Sequence, residues 1–174
     1  MNVIPAQDIE LIHGIADGPV TIPQLGFGTY KIAREDTERA VRTAIDYGYR
    51  HIDTAQMYGN EAEVGEAVAH CGVPRDELFI TSKLNNVNHE PAAARESFDR
   101  TLDALGLEVL DLFLVHWPMA LSTDLVATWQ TMIEFLRSGR VRAIGVSNYQ
   151  PEHLRTIIEA TGVAPAVNQI EIHP

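Results

Sequence analysis

The chain has 174 residues, 45% of them hydrophobic and 21% charged, which is long enough for one well-buried domain and close to the balance of ordinary globular proteins. Its formal net charge of −11 comes without any cluster of Lys and Arg, which argues against a nucleic-acid surface, because phosphate contacts need grouped cations. No apolar run is long enough for a membrane-spanning helix, so no membrane partner is expected.

Residues 1–7, followed by Asp8 and Glu10, lack a basic n-region and an apolar h-region, which predicts a cytoplasmic protein. Residues 9–13 and 20–22 flank Gly14 and the Asp17-Gly18 turn signal, the pattern of a β-hairpin standing outside the repeat that follows and suited to plugging one end of it. From Leu25 onward, short apolar runs alternate with amphipathic segments at intervals of roughly thirty residues, the spacing of an eightfold (β/α) barrel. Buried parallel strands are expected over 25–29, 50–53, 78–82, 110–115, 143–146 and 167–170.

Between them, Val64, Ala67, Val68 and Cys71 recur at i, i+3, i+4 and i+7, and Val126, Trp129, Ile133 and Leu136 follow with one slip of register, so both segments are one-sided helices. Asn60 with Glu63 has the spacing of a capping box, while Gly48, Gly72, Gly106, Gly139 and Gly162 each follow a helical run. Cys71, the only cysteine, sits on an apolar stripe and is expected to be a buried, inert thiol. The predicted fold is therefore α/β, about the first six βα repeats of a (β/α)8 TIM barrel. It is expected to be one incomplete domain over 1–174, because the sequence stops directly after the sixth strand.

In a parallel barrel the C-terminal strand ends form one face, so Asp53, Lys83 and His116 should converge there, with Tyr58 joining from the loop after the second strand. Singly, each has a plain structural explanation: an ion pair, a solvated lysine, a hydrogen-bonded core histidine. Together they make chemical sense, because a phenol with an ordinary pKa of about 10 is a poor acid near neutrality until a cation stabilises its phenolate. Lys83 is suited to be that cation, Asp53 to hold it charged, and His116 to donate to an oxygen on which negative charge develops. The set fits carbonyl reduction.

The run Gly48-Tyr49-Arg50-His51-Ile52-Asp53-Thr54-Ala55, then Tyr58-Gly59-Asn60-Glu61, resembles the aldo-keto reductases. The resemblance continues in the family's order through Thr81-Ser82-Lys83, His116-Trp117-Pro118, Gly145-Val146-Ser147-Asn148 and the stretch from Val167 to Pro174. Within the family the chain is most similar to the bacterial 2,5-diketo-D-gluconate reductase group, small monomeric enzymes that reduce aldehydes and ketones with NADPH. The resemblance implies that Tyr58 is the general acid, that Lys83 and Asp53 lower its pKa, and that His116 orients a small-molecule carbonyl substrate. It further implies that Ser147, Asn148 and Gln169 hold the nicotinamide carboxamide, that Asp53 lies near the ribose and that Gly28 and Thr29 pass close to the cofactor. Tyr30 and Trp117 line the substrate pocket by the same resemblance.

Many relatives carry an aromatic residue shortly after the catalytic lysine, whereas this chain has Leu84-Asn85-Asn86, which leaves substrate preference open. The family's 2′-phosphate grip lies in a region beyond Pro174, so the preference for NADPH over NADH rests on resemblance alone. The full-length protein is expected to be a monomer. The isolated 174-residue chain, with open edges on its first and sixth strands, is expected to associate and to be inactive.

Other readings remain open at this point. His51 and Asp53 share a strand face and, with Lys83, His116 and His173, could form the metal shell of a barrel hydrolase; no bound metal is expected, because such a site has no use for Tyr58. A non-catalytic barrel that binds cofactor or a protein is a third reading, since fold does not establish activity. Gly26-Phe27-Gly28 begins like a dinucleotide fingerprint, but Lys31 stands where the third glycine belongs. For Ser147 and Asn148 the plain alternative is helix capping, and for Gln169 it is loop hydrogen bonding.

Overall fold

A computed structural model describes residues 8–11, 19–119 and 121–172. β1 (Asp8–Leu11) and β2 (Val20–Pro23) pair antiparallel, with Leu11 opposite Val20. The hairpin is therefore present, while its expected turn at Gly14 and Asp17-Gly18 lies outside the described residues.

β3 (Gly26–Gly28), β4 (His51–Asp53), β5 (Phe79–Leu84), β6 (Leu110–Val115), β7 (Val141–Ser147) and β8 (Asn168–Gln169) form one parallel sheet in chain order. The crossovers are α1 (Arg34–Asp46), α2 (Glu61–His70), α3 (Pro91–Leu105), α4 (Leu125–Arg137) and α5 (Pro151–Thr161). These are the expected repeats: every predicted strand overlaps an observed one, and 110–115 coincides with it. The five glycines expected to end helices all have positive φ, between 64° and 100°.

The sheet is curled. Gln169 Nε2 on β8 donates to Asp53 Oδ2 on β4 at 2.8 Å, although β5, β6 and β7 lie between them in the sheet. Only a barrel-like curvature brings those two strand ends together across an interior. Both faces of β6 are buried, which is why Leu-Asp-Leu-Phe-Leu-Val shows no alternation. Phe113 packs outward against Phe98 of α3 and Phe135 of α4, with centroids 4.9 and 6.1 Å away. Leu112 and Leu114 face inward and cluster with Phe79, Ala143, Leu11 and Val20. The hairpin thus closes the N-terminal end of the barrel interior, as its place in the sequence suggested.

Two expectations need correction. Asn60 and Glu63 do not form a capping box: Asn60 makes no side-chain bond to the first turn of α2, and Glu63 pairs with Arg34 at 2.7 Å. Asn60 is instead fully buried. Its Nδ2 donates to Thr29 O at 3.1 Å, Ile32 O at 3.4 Å and Thr37 Oγ1 at 3.3 Å, while its Oδ1 accepts from the hydroxyls of Thr54 at 3.1 Å and Thr29 at 3.4 Å. A buried amide satisfied on all sides outweighs one cap bond at a solvated helix end. Cys71 is half-buried at the C-cap of α2, where its thiol donates to Val68 O at 3.3 Å.

Where α2 meets α3, a Cβ added to Gly65 would stand 2.7 Å from Ala104 O and 2.8 Å from Leu105 O. Helix backbone cannot step aside as a side chain can, so Gly65→Ala is expected to destabilise the fold by about 1–3 kcal/mol. Urea unfolding checks this: the midpoint should fall with the slope unchanged. No helix among the described residues is long and apolar enough to cross a membrane.

Candidate active site

The C-terminal strand ends carry the candidate residues. Asp53 ends β4, Lys83 lies near the end of β5, His116 directly follows β6, and Ser147 ends β7. Tyr58 closes a short 3-10 turn, Gln56–Tyr58, between β4 and α2. The barrel brings these groups to one place. Lys83 is 1% exposed; its Nζ pairs with Asp53 Oδ1, donates to Thr54 O at 3.0 Å and reaches Tyr58 OH at 3.4 Å. The Tyr58 ring lies edge-on to His116, with centroids 5.7 Å apart, and against Tyr30 at 5.1 Å.

Above this cluster opens a cavity of about 360 Å³ lined by Tyr30, Met57, Tyr58, His116, Trp117, Ser147, Asn148, Gln169, Ile170 and Glu171. Seven of these ten residues were named from sequence, whereas Met57, Ile170 and Glu171 were not. Gly28 and Thr29 do not border the cavity. The Thr29 hydroxyl is turned toward Asn60 Oδ1 and Asp53 O, while open space adjoins the Gly28 Cα. A larger hollow of about 660 Å³ lies around Arg75, Asp111 and Arg142, before the strands begin. The smaller cavity is the candidate site, because barrel chemistry belongs to the opposite, C-terminal face.

Neither plain alternative for the amide set holds. Ser147 Oγ donates to Gln169 O at 3.0 Å and Asn148 Nδ2 to Ser147 Oγ at 3.2 Å, so neither side chain caps α5. Asn148 has a left-handed φ of 59°, and its backbone N–H donates to Gln169 O at 2.9 Å. Asn168 holds the next residue, accepting from Tyr149 N at 3.3 Å and donating to Tyr149 O at 3.0 Å. Gln169 reaches Asp53 rather than its loop neighbours. Hydroxyl and amide groups on the wall beside Tyr58 and His116 are the donor and acceptor set that a carboxamide needs, so these residues fit a nicotinamide.

The electrostatics depart from expectation on one point. Against the expected lowering by Lys83 and Asp53, the Tyr58 phenol is pushed up to about 12, first by burial and then by the Asp53 carboxylate and Tyr30. The Asp53 carboxylate, paired with Lys83, offsets part of the stabilisation that the Lys83 ammonium offers a phenolate. His116 is pushed down to about 4, mainly by burial and next by Lys83, and is neutral near pH 7. Its Nδ1 is buried without a partner, leaving Nε2 as the nitrogen able to address the cavity.

His51 lies inside the barrel, its Nε2 2.9 Å from Thr81 Oγ1, and burial lowers its pKa. Among the described residues no group of three or more His, Cys, Asp and Glu is arranged to hold a metal; His173 lies outside them.

These shifts set a pH window for stability. His89 is also pushed down to about 4 by burial. Unfolded imidazoles take up protons near 6.5, while folded His89 and His116 wait until about 4, so the unfolded state binds more protons in between. Stability is therefore lost as pH falls through that interval, by about 1.4 kcal/mol per pH unit for each group at most. Tyr58 acts at the other end: unfolded it ionises near 10, folded near 12, so stability falls as pH climbs through that range. Melting temperatures against pH should show a plateau from about 6.5 to 10, with the acid limb shallower in His89→Gln.

Residues 24–174 match the Aldo/keto reductase family. An aldo-keto reductase of Mycolicibacterium smegmatis is 49% identical over 154 residues, covering 88% of this chain and 56% of the relative. A D/L-glyceraldehyde reductase of Hypocrea jecorina is 43% identical, covering 88% of this chain and 54% of that protein. The crystal structure of a Bombyx mori aldo-keto reductase in complex with NADP superposes with a TM-score of 0.87 at 34% identity, covering 97% of this chain and 59% of that one. The chain thus spans little more than half the length of these relatives.

Proposed function

The chain belongs to the aldo/keto reductase family, and from that premise we propose that its protein reduces aldehydes or ketones to alcohols with NADPH, using Tyr58 as the proton donor. The observation that carries this reading is the buried chain Asp53–Lys83–Tyr58 beneath a cavity that also presents His116. His116, neutral and lining the cavity, donates from Nε2 to the carbonyl oxygen and fixes its position. Tyr58 keeps its proton until charge develops on that oxygen, then delivers it. The resulting phenolate is left 3.4 Å from the Lys83 ammonium, which limits the cost of forming it in a desolvated site.

Ser147, Asn148 and Gln169 would hold the nicotinamide carboxamide, with Asp53, Gly28 and Thr29 on the ribose side of the cofactor. Bound there, the dihydronicotinamide supplies the hydride. Tyr30 and Trp117, 63% and 42% exposed at the rim, would contact the substrate. The choice of NADPH follows the Bombyx mori relative, solved in complex with NADP, and a small hydroxyaldehyde is a sensible first substrate given the Hypocrea jecorina relative.

The test is consumption of NADPH by the full-length protein with glyceraldehyde and a panel of simple aldehydes and ketones, with NADH alongside. Aldehyde-dependent loss of NADPH absorbance supports the reading. No turnover with any carbonyl, despite measurable NADPH binding, contradicts it and favours a binding protein.

A further inference from the structure

The turn that carries Tyr58 is fastened to the strand that carries Lys83 at two points. Ahead of Tyr58, Gln56 Oε1 accepts from Asn85 N at 2.8 Å and Asn88 Nδ2 at 3.1 Å, while its Nε2 donates to Ser97 O at 3.2 Å and Thr101 Oγ1 at 3.0 Å. These four bonds use the full capacity of a side-chain amide. Beyond Tyr58, Glu61 Oε1 accepts from Ser82 Oγ at 2.5 Å, and its Oε2 accepts from Thr101 Oγ1 at 3.5 Å. The Thr101 hydroxyl thus joins the two fastenings into one network. Ser82 and Asn85 bracket Lys83 just as Gln56 and Glu61 bracket Tyr58.

We propose that Gln56 and Glu61 are positioning residues which, through Asn85 and Ser82, set the separation between the Tyr58 hydroxyl and the Lys83 ammonium. The inference rests on the reading of Tyr58 as proton donor. The turn's own backbone bonds are Tyr58 N to Ala55 O at 3.0 Å and Gly59 N to Gln56 O at 3.3 Å, and the buried Asn60 anchors the chain just after it. The contact it must preserve, 3.4 Å from Lys83 Nζ to Tyr58 OH, is already near the limit of a hydrogen bond. A further drift of about 1 Å would uncouple the phenolate from its cation, a displacement that costs a rate on the order of 10²-fold. Glu61 has no place in the cavity lining, and its carboxylate is committed to Ser82 and Thr101 rather than to solvent.

The experiment compares Glu61→Ala, Glu61→Gln and Ser82→Ala with the wild type in the full-length protein, measuring kcat, NADPH affinity by fluorescence, and melting temperature. Glutamine keeps an oxygen acceptor for Ser82 Oγ, so Glu61→Gln should stay within about threefold of the wild-type kcat, whereas Glu61→Ala and Ser82→Ala should lose about tenfold or more. NADPH affinity should stay within about twofold in all three, because the cofactor groups are untouched. A kcat unchanged in both alanine variants, or Glu61→Gln impaired as badly as Glu61→Ala, overturns the inference. So does a loss of kcat matched by an equal loss of NADPH affinity, which would mean general loosening. If Glu61→Ala does not fold, Ser82→Ala decides from the strand side. Absence of wild-type turnover overturns the functional reading itself, whereas wild-type turnover with fully active alanine variants overturns this inference alone.

Discussion

Tyr58→Phe is expected to lower kcat for carbonyl reduction by about 10²–10⁴-fold, the usual worth of a positioned general acid, while NADPH binding is retained. Removing the hydroxyl deletes the only group on Tyr58 that contacts Lys83 Nζ by hydrogen bonding and leaves the ring packing on Tyr30 and His116 in place. The effect should therefore appear in kcat and not in melting temperature. Stopped-flow binding of NADPH beside steady-state turnover separates the two. A variant that turns over at the wild-type rate would mean that water or His116 supplies the proton. His116, whose pKa is held near 4, is poorly protonated at neutral pH and a weak candidate for that task.

The largest effect on stability is expected at the other end of the barrel. Asp111, 2% exposed on β6, accepts from Ile80 N at 2.8 Å, Arg75 Nη2 at 2.6 Å and Arg142 Nη1 at 2.8 Å, tying β5 and β7 to β6. Asp111→Ala leaves a buried N–H without a partner and brings two guanidinium groups together with no anion between them. Breaking a buried ion pair costs about 3–5 kcal/mol. Because the Arg75 and Arg142 side chains are 35% and 45% exposed and can turn toward water, the lower figure of about 3 kcal/mol is expected here. Asp111→Asn, which keeps an acceptor for Ile80 N, should lose less. Urea unfolding gives the value. The kcat of the folded fraction should be unchanged, since the hollow around Asp111 and the Tyr58 cavity share no lining residue.

The barrel was legible in the sequence because burial on both faces leaves a simple mark. Residues 110–115 could be read directly as a strand, and Val64, Ala67 and Val68 do lie on the buried face of α2. Asp53, Lys83 and His116 stand out in the sequence as reactive residue types at successive strand ends, with Tyr58 in the turn after the first of them. Periodicity could not say which partner a polar group would choose. Asn60 followed by Glu63 has the same spacing whether the asparagine caps a helix or turns inward to hold Thr29 and Thr54, and the interior partners prevailed. Residue types likewise announce that Lys83 and Asp53 stand near Tyr58, but the direction in which its pKa moves depends on burial and on which charge is already paired. No sequence pattern marks Gln56, because its four partners, at positions 85, 88, 97 and 101, are brought to it only by the fold.

The most direct test of the central claim uses NADPH carrying deuterium at both C4 positions of the nicotinamide, incubated with the full-length protein and glyceraldehyde, with mass spectrometry of the alcohol formed. Deuterium on the former carbonyl carbon, dependent on the protein and formed about 10²–10⁴-fold more slowly in Tyr58→Phe, is the predicted result. Alcohol without deuterium, or no alcohol with any aldehyde or ketone while NADPH remains bound, would contradict it.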